Sequence, residues 1–429
     1  MLETEAPVKP LEPALIPLLL PEVIAKIALG AKVVRTPPEV VILLEGDRLR
    51  LSEQDFELAA RVADRIRGKI PSRPSIGGTL TALLLAQQFL AEEVFRPGAV
   101  RVLFYATLSK ASAFYRCIMP HMALAQGSKC VSHVTGGKFT RAAFEYDVVV
   151  FQIDHSEGAR QFARALKAAG KKIIYELDDA FDCLEPWHPS YATFGQPERQ
   201  ESIRQMMRLA DAVQVSTPWL ADHYRKDCAR IEVVPNMIEL SAWPTAPRLR
   251  NDGFWKIAWA GSASHAGDLR EIVPAVSAFA KSKKDVKVVF FGQELRDAGI
   301  PSDQLENLPW CEFDDYAFKL ADIDADVSLA PLADVPFNHG KSNLRILQMW
   351  ATGYPVLASP VGPYAETIHQ GSDGFLCKTT DDWVSALDLL YRTRELAELT
   401  AAHGTERVKK WDVHPNIPKI EAFYSGLAR

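Results

Sequence analysis

The sequence predicts an α/β protein with two doubly wound domains in tandem, preceded by a small α+β extension. Three observations carry this. From Ala99 onward, short apolar runs of strand length alternate with helical stretches, as buried parallel strands do. The alternation breaks once, at 244–252, in a stretch rich in proline, arginine and polar residues, and then resumes. The length, 429 residues, suits two large domains plus an extra element at about 100–200 residues per domain.

The elements follow in order. Residues 1–36 carry many prolines and apolar residues and read as an extended arm. Runs at 39–44 and 48–51 flank Glu45-Gly46-Asp47, a turn signal, and predict a hairpin. Ser52, with Asp55 three positions on, opens a helix whose apolar face is Phe56, Leu58, Ala59, Val62 and Ile66. A linker at 71–78 leads to a second, strongly apolar helix at 79–95. The first doubly wound domain has strands at 100–105, 130–134, 147–153, 172–177, 212–216 and 231–234. Its helices fall at 115–125, 157–169, 199–209 and 218–224. The second has strands at 255–259, 286–291, 327–331, 355–359 and 374–377, with helices at 268–281, 316–321, 343–351, 364–369 and 383–394. A helical end near 415–427 closes the chain. The expected division is 1–98, 99–248, 249–405, and a tail at 406–429 that packs back on the first domain. In such Rossmann-like sheets ligands sit beyond the carboxyl ends of the strands, so two facing domains place a site in the cleft between them.

Composition narrows the function classes. Hydrophobic residues make up 48% and charged residues 24%, which excludes disorder and fibrous repeats. The net charge of -5 provides no global cationic field for nucleic acid, although a local basic groove stays open. The six cysteines include no CxxC pair, which argues against a zinc site and a disulfide framework and fits a reducing compartment. The apolar stretch 11–29 is broken by Pro13, Pro17, Pro21, Glu22 and Lys26, so it reads as neither a membrane span nor a signal peptide. The expectation is a cytoplasmic protein, with peripheral membrane attachment left open.

Residues 330–364 are the most informative. A strand ends at Pro331, a loop follows, and Ser342 stands where a helix N-cap is expected. Lys341, Arg345 and Gln348 project to roughly one side of that helix start. Gly353 ends the helix, and Pro355 opens the next strand. Free N–H groups beside a lysine and an arginine make a seat for a phosphate or diphosphate, and Gln348 can bond a sugar hydroxyl. A solvated basic helix face is the plain alternative.

The pattern Phe337-Asn338-x-x-Lys341-Ser342-Asn343-Leu344-Arg345, then Ala351-x-Gly353-x-Pro355-Val356-x-Ala358-Ser359 and Gly362-Pro363-Tyr364, resembles the donor-binding domain of GT-B glycosyltransferases of the family 4 type. Trp259-Ala260-Gly261-Ser262-x-x-His265-x-x-Asp268-Leu269 and Asp324-x-Asp326-Val327-x-Leu329-Ala330-Pro331-Leu332 continue it upstream, and Gly371-x-x-Gly374-Phe375 downstream. The resemblance covers nearly all of 253–410. The first domain is similar more loosely, through Tyr115-Arg116-x-x-x-Pro120, Tyr175-x-x-Asp178-Asp179 and Ala210-Asp211-Ala212-x-x-x-Ser216-Thr217 followed by Val234-Pro235-Asn236; residues 1–98 are not covered.

The resemblance implies sugar transfer from a nucleotide diphosphate donor, a UDP-sugar by default, with retention and with no metal or other cofactor. The donor would sit on the second domain and the acceptor on the first. Gly261, Ser262 and His265 would lie near the diphosphate, with Lys341, Ser342, Asn343 and Arg345 around it, and Phe313 where the family holds the nucleobase. Gln348 takes the place of the second glutamate of the family's Glu-x7-Glu pair, the ribose clamp, and Gly340 the place of the first. Lys341 and Arg345 would stabilise charge on the leaving oxygen.

In the first domain Asp154 and His155 directly follow a strand and so should point at the cleft. His155 reads as a partner of the transferred sugar or a base, or as a surface histidine. Asp178 and Asp179 could bind a metal, as an Asp pair does in the GT-A glycosyltransferase fold, but in the acceptor domain they read as acceptor-orienting residues or helix caps. Arg116 reads as a contact to phosphate or an acidic acceptor, or as an ordinary surface arginine. Trp187, His188 and Tyr191 make an acceptor-binding lid or plain packing. A polysaccharide or lipid-linked glycan is the plain choice of acceptor; a modified nucleic-acid base or a protein is the alternative. Residues 1–98 are available for homo-oligomerisation or for an acceptor, and Arg61, Arg65, Arg67, Lys69 and Arg73 there read as a polymer contact or a solvated helix face. The rival from another class is a non-catalytic scaffold that binds a sugar nucleotide or glycan, supported by Gly340 and Gln348. A GT-B epimerase would need a pair of acid–base carboxylates in the cleft, and the sequence offers no convincing one.

Overall fold

A computed structural model describes residues 24, 27, 28, 32–36, 39–44, 47–67, 98–107, 111–136, 139–247, 252–262, 265–295, 298–311 and 313–428. Strands β1 (Lys32–Thr36), β2 (Glu39–Leu44) and β3 (Asp47–Ser52) form an antiparallel sheet in that order, followed by α1 (Glu53–Arg67). The β2–β3 hairpin and α1 lie where the sequence puts them. β1 does not: it falls in the stretch read as an extended arm, where residues 24, 27 and 28 are also helical. Its five residues are too short and mixed to announce a strand; pairing with β2 defines it. The helix expected at 79–95 lies outside the described residues, as do Lys69 and Arg73.

The first large sheet is all parallel, in the order β5-β4-β6-β7-β8-β9. Its strands are β4 (Val100–Tyr105), β5 (Cys130–Thr135), β6 (Val148–Gln152), β7 (Lys172–Leu177), β8 (Ala212–Val215) and β9 (Ile231–Val233). Helices α2 (Met119–Gln126), α3 (Glu157–Ala168), α4 (Pro197–Leu209) and α5 (Pro218–Tyr224) cover its faces. The central strands are buried on both sides, which is why they read as near-continuous apolar runs. A π-helical turn, Phe114–Ile118, leads into α2 and carries Tyr115 and Arg116.

The second sheet is also parallel, in the order β12-β11-β10-β13-β14-β15, with β10 (Trp255–Ala260), β11 (Val286–Phe291), β12 (Leu305–Leu308), β13 (Val327–Ala330), β14 (Val356–Ala358) and β15 (Phe375–Leu376). Numbered within the domain, this is the 3-2-1-4-5-6 order of a Rossmann sheet, whose switch point lies between β10 and β13. Helices α6 (Ala266–Ser282), α7 (Phe313–Asp322), α8 (Leu344–Thr352), α9 (Pro363–Thr367), α10 (Thr380–Arg392) and α11 (Arg394–Val408) complete the domain. β12 is a strand the sequence reading lacks. It is an edge strand with Glu306 and Asn307 exposed at its centre, so it has no apolar run to betray it.

The chain crosses between the sheets twice. The crossings meet where Ile238 pairs with the 411–413 segment, its N–H donating to the Trp411 carbonyl and its carbonyl accepting from the Val413 N–H. Helix α12 (Val413–Ala428) then lies on the first domain. Its Val413, Ile420, Phe423, Tyr424 and Leu427 share a core with Val102, Phe104, Val148 and Val150, and the Tyr424 hydroxyl donates to buried Gln214 at 2.6 Å. Among the described residues no helix is long and apolar enough to cross a membrane.

Candidate functional site

Both switch points open on one cleft, a partly open cavity of about 290 Å³. From the second domain, Gly261, Ser262 and His265 follow β10, and Lys341, Ser342, Arg345 and Gln348 surround the start of α8. From the first, Tyr115, Asp178, Asp179 and Asn236 face them.

Arg345 is the central charge. Its guanidinium lies 5.2 Å from the Trp259 ring centroid, and its Nη1 is buried without a hydrogen-bond partner. No carboxylate among the described residues forms an ion pair with it. A guanidinium nitrogen buried without a partner costs stability and calls for an anion. Gly261 makes room for it: a Cβ there would meet Arg345 Nη2 at 2.7 Å and the Trp259 ring at 2.8 Å. Lys341, one helical turn away, is shared across the cleft. Its Nζ lies 3.1 Å from Asp179 Oδ1 and 4.3 Å from the Phe337 ring centroid.

His265 donates from Nδ1 to Asp268 at 2.7 Å when it carries its proton there. Asp268 is anchored further by the Ala333 N–H and the Asn338 amide. Burial lowers the His265 pKa to about 4, helped by the nearby Arg345 and Lys341 charges. The imidazole is therefore neutral near pH 7, with Nδ1–H on Asp268 and Nε2 left as an acceptor.

Gln348 is held between two tyrosines. Its amide donates to Tyr115 Oη at 3.0 Å, and its carbonyl accepts from Tyr316 Oη at 3.4 Å. A Cβ at Gly340 would crowd Leu220, Ala180 and Trp219 of the first domain at 3.0–3.2 Å. The exposed Trp310 and the Tyr364 ring complete the lining.

Several expected placements change. Ser342 is not the N-cap of α8; Asn343 is, and the Ser342 hydroxyl accepts from the Asn236 amide at 2.9 Å across the cleft. The Asn343 amide donates to Thr367. Arg116 is neither a surface residue nor a ligand contact. It is 1% exposed, with Nε 2.5 Å from Glu176, and it donates to the Val234 carbonyl and to Asn236. Glu176 is 0% exposed; burial pushes its pKa up to about 8, against the pull of Arg116.

Asp154 and His155 do not line the cleft. Ile153 adopts φ 60°, a conformation strained for a β-branched residue, which turns the chain after β6. Asp154 then caps the Ser156 N–H, while His155 bonds the Ile153 carbonyl and packs near Phe194. The Phe313 side chain lies outside the described residues. The His188 ring packs tilted against Phe337, centroids 4.9 Å apart, and Trp187 lies against Gly267, so this loop of the first domain rests on the second.

The sequence does not single out Trp310 or Tyr316 as site residues, and it puts Tyr115, Asn236 and Tyr364 in motifs without a role. Trp310 had a signal: a large aromatic two residues past an edge strand's end, where nothing in sequence buries it. Away from the cleft, two clusters bring three potential metal-ligand atoms each within 4.8 Å of one another, Asp182–Cys183–His223 and Glu239–Asp412–His414. In the first, Asp182 already accepts from His223, Tyr224 and Arg204.

No protein-family model matches the chain, and no curated protein does. Solved structures do. Anabaena HepE in complex with UDP and glucose aligns at TM-score 0.57 and 16% identity, over 76% of this chain and 100% of that one. Sucrose-phosphate synthase from Thermosynechococcus elongatus aligns at 0.57 and 14%, over 77% and 99%. A glycosyltransferase from Rickettsia africae aligns at 0.54 and 12%, over 77% and 99%. The chain has the GT-B fold: two Rossmann-like domains facing a cleft.

Proposed function

We propose that this protein is a glycosyltransferase that moves a sugar from a nucleotide diphosphate to a hydroxyl of a glycan or lipid-linked acceptor. The observation that carries the reading is Arg345, a partly buried guanidinium with no carboxylate partner, set beside Gly261 and the start of α8. It is a seat for a diphosphate. The neighbours that carry UDP in their names, HepE above all, support UDP as the nucleotide to try first.

In the proposed reaction the bond between the anomeric carbon and the diphosphate oxygen breaks, and a bond to the acceptor oxygen forms. Arg345 and Lys341 stabilise the charge that grows on the leaving diphosphate. The acceptor proton passes to a phosphate oxygen on the same face of the sugar, which retains configuration and requires neither a protein nucleophile nor a metal. Neutral His265 offers Nε2 to a donor hydroxyl. Gln348 offers its amide to the ribose in place of a carboxylate, and Trp310 offers an aromatic face to the base.

The test is thermal stabilisation by UDP followed by UDP release from UDP-glucose, UDP-galactose and UDP-N-acetylglucosamine. Stabilisation with slow UDP release from one of them is the expected result. Binding without release from any donor, with or without sugar acceptors, would favour the scaffold reading, and dependence on a chelatable ion would overturn the metal-free reading. Gly261→Ala is expected to push Arg345 aside and weaken UDP about tenfold, the value of one charged hydrogen bond. An unchanged dissociation constant in calorimetry would remove Arg345 from the diphosphate seat.

A further inference from the structure

We propose that Asp178 receives a hydroxyl of the sugar held in this cleft, so that the first domain supplies the carboxylate which the second domain lacks there. The inference rests on the nucleotide-sugar reading above. Among the residues lining the cleft, Asp178 and Asp179 are the carboxylates. Asp179 is occupied, with both oxygens within 3.2 Å of Lys341 Nζ. Asp178 differs: no side chain of another described residue hydrogen-bonds its carboxylate or forms an ion pair with it.

The second domain offers no substitute among the described lining residues. Position 340 is a glycine, so it carries no carboxylate, and a Cβ there would crowd Leu220, Ala180 and Trp219. Gln348 is neutral and held by Tyr115 and Tyr316.

The ligand that satisfies Asp178 must donate hydrogen bonds. A diphosphate cannot, and it is repelled by a carboxylate. The group bonded directly to the diphosphate is a sugar, rich in hydroxyl donors. Burial and the neighbouring Asp179 push the Asp178 pKa up to about 6, so it is mainly ionised near pH 7 and accepts more strongly than an amide. The hydroxyl belongs either to the transferred sugar or to the attacking acceptor, and binding separates the two.

The experiment titrates wild type, Asp178→Asn and Asp179→Asn with UDP and with UDP-glucose, UDP-galactose and UDP-N-acetylglucosamine in a calorimeter. UDP release is then followed with and without methyl α-glucoside. Asp178→Asn is expected to leave UDP binding unchanged or tighter, because it removes a repulsive charge. If the hydroxyl is the donor's, the sugar nucleotide that binds best loses about tenfold affinity relative to UDP, the difference between a charged and a neutral hydrogen bond. If it is the acceptor's, both affinities hold and UDP release falls about tenfold.

Asp179→Asn frees Lys341 and is expected to change UDP binding itself, which separates the two neighbours. A melting curve checks that each variant folds, and Asp178→Glu keeps the charge while moving it. The proposal is overturned if Asp178→Asn weakens UDP as much as the sugar nucleotide, or if it changes neither binding nor release. Failure of wild type to bind UDP or any of the UDP-sugars would instead sink the nucleotide reading beneath it.

Discussion

Arg345→Ala is expected to weaken UDP binding about a hundredfold, the loss of a bidentate charged contact worth about 3 kcal/mol. Arg345 is the cation in the cleft that forms no ion pair with a carboxylate among the described residues, and its Nη1 has no hydrogen-bond partner. The same substitution is expected to leave the ligand-free protein as stable or slightly more stable, because it removes a costly unpaired charge from beneath the cleft. Arg345→Lys keeps the charge but not the planar fork, and should recover part of the affinity. Calorimetry with UDP and melting without it read the two signs separately. Unchanged UDP affinity in Arg345→Ala would place the phosphate seat elsewhere.

Arg116→Ala should have the largest effect on stability, about 3–5 kcal/mol, because it strands Glu176 in the core. The guanidinium also satisfies the Val234 carbonyl and Asn236, and Asn236 in turn reaches Ser342 on the other domain. Protonation of Glu176, already raised to about 8, limits the cost without removing it. At about 2–4 °C per kcal/mol for a domain of this size, the melting point should fall by about 10 °C. Arg116→Met combined with Glu176→Leu should recover part of the loss, since paired removal leaves no lone charge. A wild-type melting curve for Arg116→Ala would contradict the buried-pair account.

The contrast between these two arginines shows what the sequence can tell. Both stand near the start of a helix after a strand, and both read as possible phosphate contacts. They are separated by what pairs with them: Glu176, 60 positions from Arg116, and no ion-paired carboxylate among the described residues for Arg345. Pairing across the sheet leaves no mark in local sequence.

The parallel strands are legible for the opposite reason, since burial on both faces forces apolar runs, as in Val148–Gln152. β12 lacks that constraint on its edge, and β1 is defined by a partner. Within the site, the residues clustered after β10 and at the start of α8 were legible because a glycine turn and a helix start carry local signals. Asp154 and His155 were misplaced because one residue, Ile153, takes an unusual backbone angle that no pattern announces. Tyr316 and Asn236 became site residues only through contacts from distant elements.

Helix α12 has a consequence for how the chain comes to be folded. The first sheet is synthesised by residue 233, yet one of its faces waits for Ile420, Phe423 and Tyr424. Until residues 413–428 emerge from the ribosome, Val102 and Phe104 lack part of their cover, and the whole second domain must be made in the interval. The domain that starts first therefore finishes last, and while the second domain is made its apolar face is the kind of exposed surface that favours aggregation.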